Sequence, residues 1–455
     1  MNVVSPQPPQ MPAQTGGKMV NAFDPNSLDH LDPALRHAIK RRSRLLGPAY
    51  RLFYQEPVEV CRGQGTRLWD SQGREYLDAY NNVVSVGHCH PHVVEAVHRQ
   101  MSTLCTHTRY IQEGILTYAE AMLPSFGGRI GAEGHMMFAC TGSEANDLAL
   151  RIAKHHTGRR GIIVTEEAYH GNSELTAGFS PSLGENAPLG TWVRRIPAPD
   201  SYRHDPATLG RMMAEAITRE AHLLKRHGDG LAAFVADSLF SSDGVYATPE
   251  VLKPVIEAVH AAGGLFIADE VQSGFGRSGE AFWGFQRHGI DPDIISMGKP
   301  MGNGFPVAAI AVAPEVVAEF GRDMRYFNTF GGNGVAMAAA NATREVLIGE
   351  GLQENARKIG AVLREGIAAM AKTHDSIGDV RGAGLYIGVE MVSDRAAKTP
   401  DATKAATIVN EMRKRRVLIS ATGPAANVLK IRPPLVFSQA DADWLLDTLE
   451  EVLAL

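Results

Sequence analysis

The feature that most constrains the fold is a series of short apolar runs: "HMMFAC", "GIIVTEEAYHG", "LAAFVADS", "GLFIADE", "DIISMGK" and "VAAIAV", between residues 135 and 312. Helical segments such as "TGSEANDLALRIAKHH" and "PEVLKPVIEAVHAAG" lie between several of them. A strand apolar at every position must bury both faces, and strands joined through helices run parallel. The pattern therefore predicts an α/β fold with a mostly parallel central sheet flanked by helices.

The flanks read differently. A helical "DPALRHAIKRRSRLL" precedes "VEVCRGQGTRLWDSQGREYLDAY", which alternates like short antiparallel strands with "SQG" as a turn. Beyond Gly334 one long helical region leads into alternating segments and a closing helix, an α+β piece. A chain of 455 residues exceeds what one small core organises. The expected division is a flexible N-terminal arm (1–30), the N-terminal part of a smaller domain (31–85), a large domain (86–334) and a C-terminal α+β part of the smaller domain (335–455).

Composition excludes several function classes. A net charge of -5 offers no footprint for nucleic acid. No run approaches the roughly 18 apolar residues of a membrane span. Four cysteines (Cys61, Cys89, Cys105, Cys140) are scattered, which argues for a reducing compartment. The N-terminus carries prolines and glutamines where a signal peptide needs an apolar core, so it reads as a disordered arm on a cytoplasmic protein.

In open α/β sheets ligands bind outside the carboxyl ends of the strands. The residues just after each run are therefore the informative ones: Thr141-Gly142-Ser143, Tyr169-His170, Asp237-Ser238, Asp269-Glu270 and Lys299. "TGSEAN" opens a helix and suits a phosphate, or is equally an ordinary N-cap. Asp269 at a buried strand end needs a cation or strong donors. Lys299, in an apolar pocket, would become a competent amine. Together, a phosphate cup, a buried carboxylate, a strand-end lysine and an aromatic side chain are what pyridoxal phosphate requires.

The motifs "GSEANDLALRIAK", "AYHG", "LFIADEVQSGFGRSGEAFWGFQRHGIDPDIISMGKPMGNGFPVAAI", "FNTFGGN", "GDVRGAGLYIGVEMV" and "NVLKIRPPL" span nearly the whole chain. In that order they resemble the class III (omega-type) aminotransferases, fold-type-I pyridoxal-phosphate enzymes. The resemblance implies Lys299 as Schiff-base lysine and proton-transfer base, Asp269 beside the pyridine nitrogen and Gln272 near the ring's 3-oxygen. It implies Gly142 and Ser143 at the phosphate and Tyr169 stacked on the ring. Thr329 would reach the phosphate of a neighbouring subunit, making the active site a property of a homodimer, or of a tetramer built from it. Arg432 would bind a substrate carboxylate, with Phe53, Tyr54, Tyr80 and the "SLFSSDG" loop as pocket walls.

The implied reaction is transfer of an amino group from an amine or amino acid to a keto acid or aldehyde, by a ping-pong mechanism. The chain is also similar to the ethanolamine-phosphate phospho-lyase and alanine–glyoxylate aminotransferase-like branch. A phospho-lyase would need an extra anion site, for which Arg432, Arg51 and His88 are candidates. One position departs from the family: relatives usually carry a glutamate where this chain has Asp237, so the substrate is the part left open.

Three other motifs point elsewhere and are read as structural. "GFGRSG" matches G-x-G-x-x-G, but "EAFWGF" does not open a Rossmann helix. "GHCHPH" alternates along an extended segment, which splits His88, Cys89, His90 and His92 between faces, so no metal site is expected. "KRRSR" reads as a solvated helix face.

Overall fold

The computed structural model describes residues 19–455. Seven strands form the central sheet, in the spatial order His135–Ala139, Ala308–Val312, Ile294–Met297, Leu265–Asp269, Leu231–Asp237, Gly161–Thr165, Val193–Ile196. The last five run parallel to one another, and Ala308–Val312 is antiparallel to both of its neighbours. Every residue of Gly161–Thr165, Leu265–Asp269, Ile294–Met297 and Ala308–Val312 is buried. Two pairs of helices cover the sheet, Gly142–Thr157 with Pro314–Asp323 and Pro206–Arg226 with Lys253–Ala261. Each fully buried Val, Ile, Leu or Phe contributes roughly 1.5–3 kcal/mol, so the apolar runs are what hold this layer together.

Register decides where the chemistry sits. Asp237 pairs across the sheet with Asp269, and Asp269 with Ser296. Three parallel strands therefore end level, and Lys299 follows two residues beyond the last of them, Ile294–Met297. Two carboxylates directly opposite one another are unfavourable in a sheet. Their placement at the carboxyl edge needs compensation from nearby groups.

Residues from both ends of the chain build two smaller sheets. Val60–Gln64, Arg67–Asp70 and Glu75–Asp78 form an antiparallel set, with the "SQG" turn between the last two. Val417–Leu418, far along the sequence, adds to this set in parallel. Ile377–Ala383, Tyr386–Asp394, Val428–Ile431 and Ser420–Thr422 form the other sheet, with Thr399–Pro400 paired to its second strand. The long helical region beyond Gly334 is two helices, Gly334–Gly349 and Leu352–Met370, separated at Gly351 with φ +64°. That left-handed conformation suits glycine and ends the helical hydrogen-bond ladder.

The expected N-terminal arm lies outside the described residues as far as residue 18. Within residues 19–30, the Phe23 amide donates to the Leu52 carbonyl at 2.8 Å, and the Phe23 side chain packs with Leu31 and Ile39. The "GFGRSG" glycines serve close packing. A Cβ on Gly279 would stand 2.6 Å from the backbone of Arg357 in the helix Leu352–Met370. Arg277, between the glycines, is buried and donates to the Leu385 carbonyl at 3.1 Å and to the Pro433 carbonyl. The "GHCHPH" histidines each meet a different carboxylate, His88 with Asp78, His90 with Glu350 and His92 with Glu345. Among the described residues no three His, Cys, Asp or Glu side chains converge as a metal site.

Candidate active site

A cavity of about 290 Å³ opens at the carboxyl ends of the parallel strands. Its size is at the small end of the range for small-molecule sites. Gly142, Ser143, Tyr169, Asp269, Gln272 and Lys299 all line it. They arrive from four places: the start of the helix Gly142–Thr157, the loop after Gly161–Thr165, the end of Leu265–Asp269 and the turn after Ile294–Met297.

On one side the cavity is bounded by the start of the helix Gly142–Thr157. Thr141 and Glu144 form a capping box: the Glu144 amide donates to the Thr141 hydroxyl, and the Cys140 and Thr141 amides donate to the Glu144 carboxylate. The N-cap reading is thus realised. The cap fixes the helix start, worth about 1 kcal/mol. The first amides of a helix have no partner within it, and here they belong to Gly142 and Ser143, which line the cavity. A Cβ on Gly142 would stand 3.2 Å from Val271, so the backbone passes close to the opposite wall only because the residue is glycine. The Ser143 hydroxyl donates to Asn172 Oδ1 at 3.0 Å and accepts from the Asn172 amide at 3.1 Å, which ties the helix start to the loop after Tyr169.

Asp269 is buried and held by three donors. Asn146 Nδ2 donates at 2.9 Å, His170 Nδ1 lies 2.7 Å away, and the Val271 amide donates at 3.1 Å. Burial pushes this carboxyl up, but His170, Asn146 and the nearby Lys299 outweigh it and keep the pKa below the usual carboxylate range. Asp269 therefore stays ionised. Asn146 was not singled out in the sequence, and His170 was named there only as a strand-end residue without a role; both meet Asp269. Asn146 stands four residues after Gly142, on the same face of the helix, and that spacing was the available signal. Asn146 Nδ2 also donates to the His170 carbonyl, so the loop and the carboxylate share one anchor.

Lys299 is partly buried. Burial and the Arg432 guanidinium lower its pKa to about 8, against the opposing pull of Asp269 and Asp237. Asp237 has its own carboxyl raised by burial and by repulsion from Asp269. The Ser241 hydroxyl and the Leu239 and Ser241 amides, which donate to it, oppose that rise. Tyr169 is 39 % exposed and lines the cavity.

The remaining expected residues are distributed less simply. Arg432 is buried and donates to Gln272 Oε1 at 2.7 Å and to the Tyr80 carbonyl at 3.0 Å, with its guanidinium 4.5 Å from the Tyr80 ring centre. Gln272 Oε1 also accepts from Asn82 Nδ2 at 2.6 Å, so Gln272 links the cavity wall to Arg432. Tyr54 is a correction. It was expected at the substrate, but its hydroxyl is buried and donates to the Ile419 carbonyl at 3.0 Å. A buried phenol needs a partner, and this one has found it away from the cavity. His88, a candidate for an extra anion site, is committed to Asp78 at 2.7 Å. Thr329 is exposed and does not line the cavity of its own chain.

The sheet and the strand-end residues together define a fold-type-I pyridoxal-phosphate enzyme, a class that solved relatives share. One is a phospholyase from Arthrobacter in complex with phosphoethanolamine, 40% identical, covering 92% of this chain and 99% of its own, with a TM-score of 0.88. Among curated proteins the chain is 40% identical to an alanine–glyoxylate aminotransferase 2-like protein of Drosophila melanogaster, covering 91% of this chain and 86% of that one. It is 37% identical to ethanolamine-phosphate phospho-lyase homolog 1 of Caenorhabditis elegans, with coverages of 92% and 93%. The class-III aminotransferase family matches residues 53–453, and this chain belongs to that family. Its cofactor is pyridoxal phosphate.

The residues present fit that cofactor. A helix start with two free amides suits its phosphate, the ionised Asp269 suits a protonated pyridine nitrogen, and Lys299 supplies an amine of lowered pKa. The glycine at position 142 leaves the space that a side chain would fill.

Proposed function

We propose that this chain eliminates phosphate from a small amine carrying a phosphate ester, with Lys299, Asp269 and Arg432 as its principal groups. The observation that carries this reading is the buried Arg432 guanidinium, whose charge acts on Lys299. Arg432 lowers the Lys299 pKa, while Asp237 and Asp269 are the carboxylates that act on Lys299 in the opposite sense. Asp269 is already occupied by His170 and Asn146. An arginine beside the amine favours a substrate that carries an anionic group. The similarity to the Arthrobacter phospholyase supports the same reading.

When bound, pyridoxal phosphate supplies an aldehyde that condenses with amines and a pyridinium that draws electrons from the adjoining carbon. Gly142 and Ser143 would hold its phosphate, Tyr169 its ring face, Gln272 its 3-oxygen side, and Asp269 its pyridine nitrogen. Lys299 would hold it covalently and, as a free amine, would move the proton at the carbon bearing the substrate nitrogen. With a pKa near 8 the amine both accepts and returns a proton close to neutral pH. The net reaction with O-phosphoethanolamine takes up water and yields phosphate, ammonia and acetaldehyde.

Transamination is the second reading, and Arg432 favours it. Its planar guanidinium, fixed by Gln272 and Tyr80, is the right shape for the carboxylate of an amino acid or of a keto acid such as pyruvate or glyoxylate. Product analysis separates the two. Phosphate and acetaldehyde released from O-phosphoethanolamine without any keto acid is the expected result. Alanine formed from pyruvate and an amine, with no phosphate released, would overturn the elimination reading.

The functional unit in this reading is a homodimer, with Thr329 of each copy turned to the other's cofactor. A cytoplasmic setting accords with four cysteines that are all free. No helix among the described residues is long and apolar enough to cross a membrane.

A further inference from the structure

Asp243 is a buried carboxyl in the segment after the strand Leu231–Asp237, and the reaction leaves it unused. Its two oxygens meet donors from a different strand end. Thr165 Oγ1 donates to Oδ2 at 2.7 Å, and the Glu167 amide donates to Oδ1 at 2.9 Å. Thr165 closes the strand Gly161–Thr165, and Tyr169, a little further on, lines the cavity. Between them the Ala168 amide donates to the Thr165 carbonyl at 3.3 Å, so residues 165–168 form a turn. Asp243 holds the first and third residues of that turn.

The Tyr169 side chain makes no hydrogen bond among the described residues, so its place is set by the backbone on both sides of it. On the far side, the His170 amide donates to the Ser180 hydroxyl at 2.9 Å and the His170 carbonyl accepts from Asn146 at 2.8 Å. On the near side, among the described residues, Asp243 supplies the side-chain hydrogen bonds that hold the turn.

Asp243 is itself presented on a strained segment. Phe240 has φ +48° and Val245 has φ +63°, a left-handed conformation that a β-branched residue rarely adopts. Such backbone persists only where its surroundings over-determine it. Here the Gly244 and Val245 amides donate to the Phe240 carbonyl at 3.2 and 3.0 Å. Arg381 Nε donates to the Gly244 carbonyl at 2.9 Å, and Thr422 Oγ1 donates to the Ser242 carbonyl at 3.2 Å. Arg381 and Thr422 belong to the sheet that contains Ile377–Ala383 and Ser420–Thr422. Asp243 thus reaches from a segment clamped by that sheet to the turn before Tyr169. Burial lifts its pKa to about 7 in spite of its two donors, with Glu167 and Asp237 repelling it. A carboxyl is costly in such a place, and the turn is what it serves.

We propose that Asp243 is a positioning residue, a strut that fixes residues 165–168 and so holds the Tyr169 ring where pyridoxal phosphate meets it. The inference rests on the assignment of Tyr169 to the cofactor ring, and holds for elimination and transamination alike.

The test follows cofactor binding with no substrate present. The full-length enzyme is stripped of cofactor, and its apparent Kd for pyridoxal phosphate is read from visible absorbance. Wild type is compared with Asp243→Ala, Asp243→Asn, Tyr169→Ala and the combination of Asp243→Ala with Tyr169→Ala, each checked for helix content by circular dichroism. An aromatic contact is worth up to about tenfold in binding, which is the rise in Kd expected for Tyr169→Ala. Asp243→Ala should approach that rise, and the combination should bind no more weakly than Tyr169→Ala alone. Asp243→Asn should stay within about twofold of wild type, because its oxygen accepts from the Glu167 amide and its NH2 donates to a Thr165 hydroxyl turned to accept. Should Asp243→Ala fail to fold, Thr165→Val removes one of the two hydrogen bonds and takes its place in the same comparison.

Additive effects of Asp243→Ala and Tyr169→Ala would overturn the strut, as would wild-type affinity in Asp243→Ala. Binding by Asp243→Asn as weak as by Asp243→Ala would overturn it too, since charge rather than position would then be at work. Unchanged affinity in Tyr169→Ala would instead remove the ring assignment, and the strut with it.

Discussion

Lys299 has to be an amine with a free electron pair at a pH where an ordinary lysine is almost wholly protonated. Burial and Arg432 achieve this by lowering its pKa from 10.5 to about 8. The sign follows directly. Between those two values the unfolded chain binds a proton that the folded apoprotein does not, so apoprotein stability rises with pH across that window. The same shift governs capture of the cofactor aldehyde, which needs the neutral amine. The rate of covalent capture by apoenzyme, followed by visible absorbance, is expected to rise with pH and level off above about 8. A rate still climbing toward pH 10 would show that Lys299 is not desolvated as the geometry requires.

At this scale the sequence was informative wherever a polar residue closed an apolar run, as Lys299, Asp269 and Gly142 do. It was silent about Tyr54, because nothing in "FYQEP" reveals that the Ile419 carbonyl waits for that hydroxyl.

Elements carry the site through their ends, and Glu270 shows how. Immediately after Asp269, it accepts from the Ser238 hydroxyl at 2.5 Å, the Ser273 hydroxyl at 3.1 Å, the Gly284 amide at 2.7 Å and the Phe285 amide at 2.9 Å. One carboxyl thus joins the ends of two adjacent strands to the short helix Gly284–His288. Burial lifts its pKa to about 7 in spite of those donors. Glu270→Gln replaces one acceptor oxygen with a donor that faces other donors. The expected cost is roughly 1–3 kcal/mol, read as a lower denaturation midpoint. An unchanged midpoint would mean that the junction tolerates unpaired amides.

Element type was legible in the sequence far more than connectivity. The two-faced apolar runs announced the buried strands. Val193–Ile196 was missed because it is an edge strand whose middle residues, Arg194 and Arg195, break the apolar pattern. The antiparallel course of Ala308–Val312 left no mark on its composition, since a strand buried on both faces looks the same in either direction. The break at Gly351 was hidden by good helix formers on both sides.

The whole molecule has a surface that one chain leaves uncovered. Ile111 is 96 % exposed, Phe330 69 % and Tyr110 65 %. The His107 ring stacks on Tyr110 at 5.2 Å and meets the edge of Phe327 at 5.7 Å, and the Arg109 guanidinium lies 4.1 Å from the Phe327 ring centre. Residues 107–111 and 327–330 therefore form one apolar surface, and exposed patches of this kind mark association. It runs to the rim of the cavity, because Asn328 lies 3.9 Å from the sulfur of Cys140, which lines it. Thr329 stands in the middle of that segment with no role in its own chain's cavity. A second copy on this face would bury the aromatics and bring its Thr329 to the neighbouring site, as a two-fold arrangement requires. Charges placed there, Ile111→Glu with Phe330→Glu, are expected to convert a dimer to a monomer by light scattering and to abolish turnover, while near-native helix content is kept. A wild-type chain that is monomeric and fully active at micromolar concentration would sink the arrangement, and Thr329 would then have no cofactor to serve.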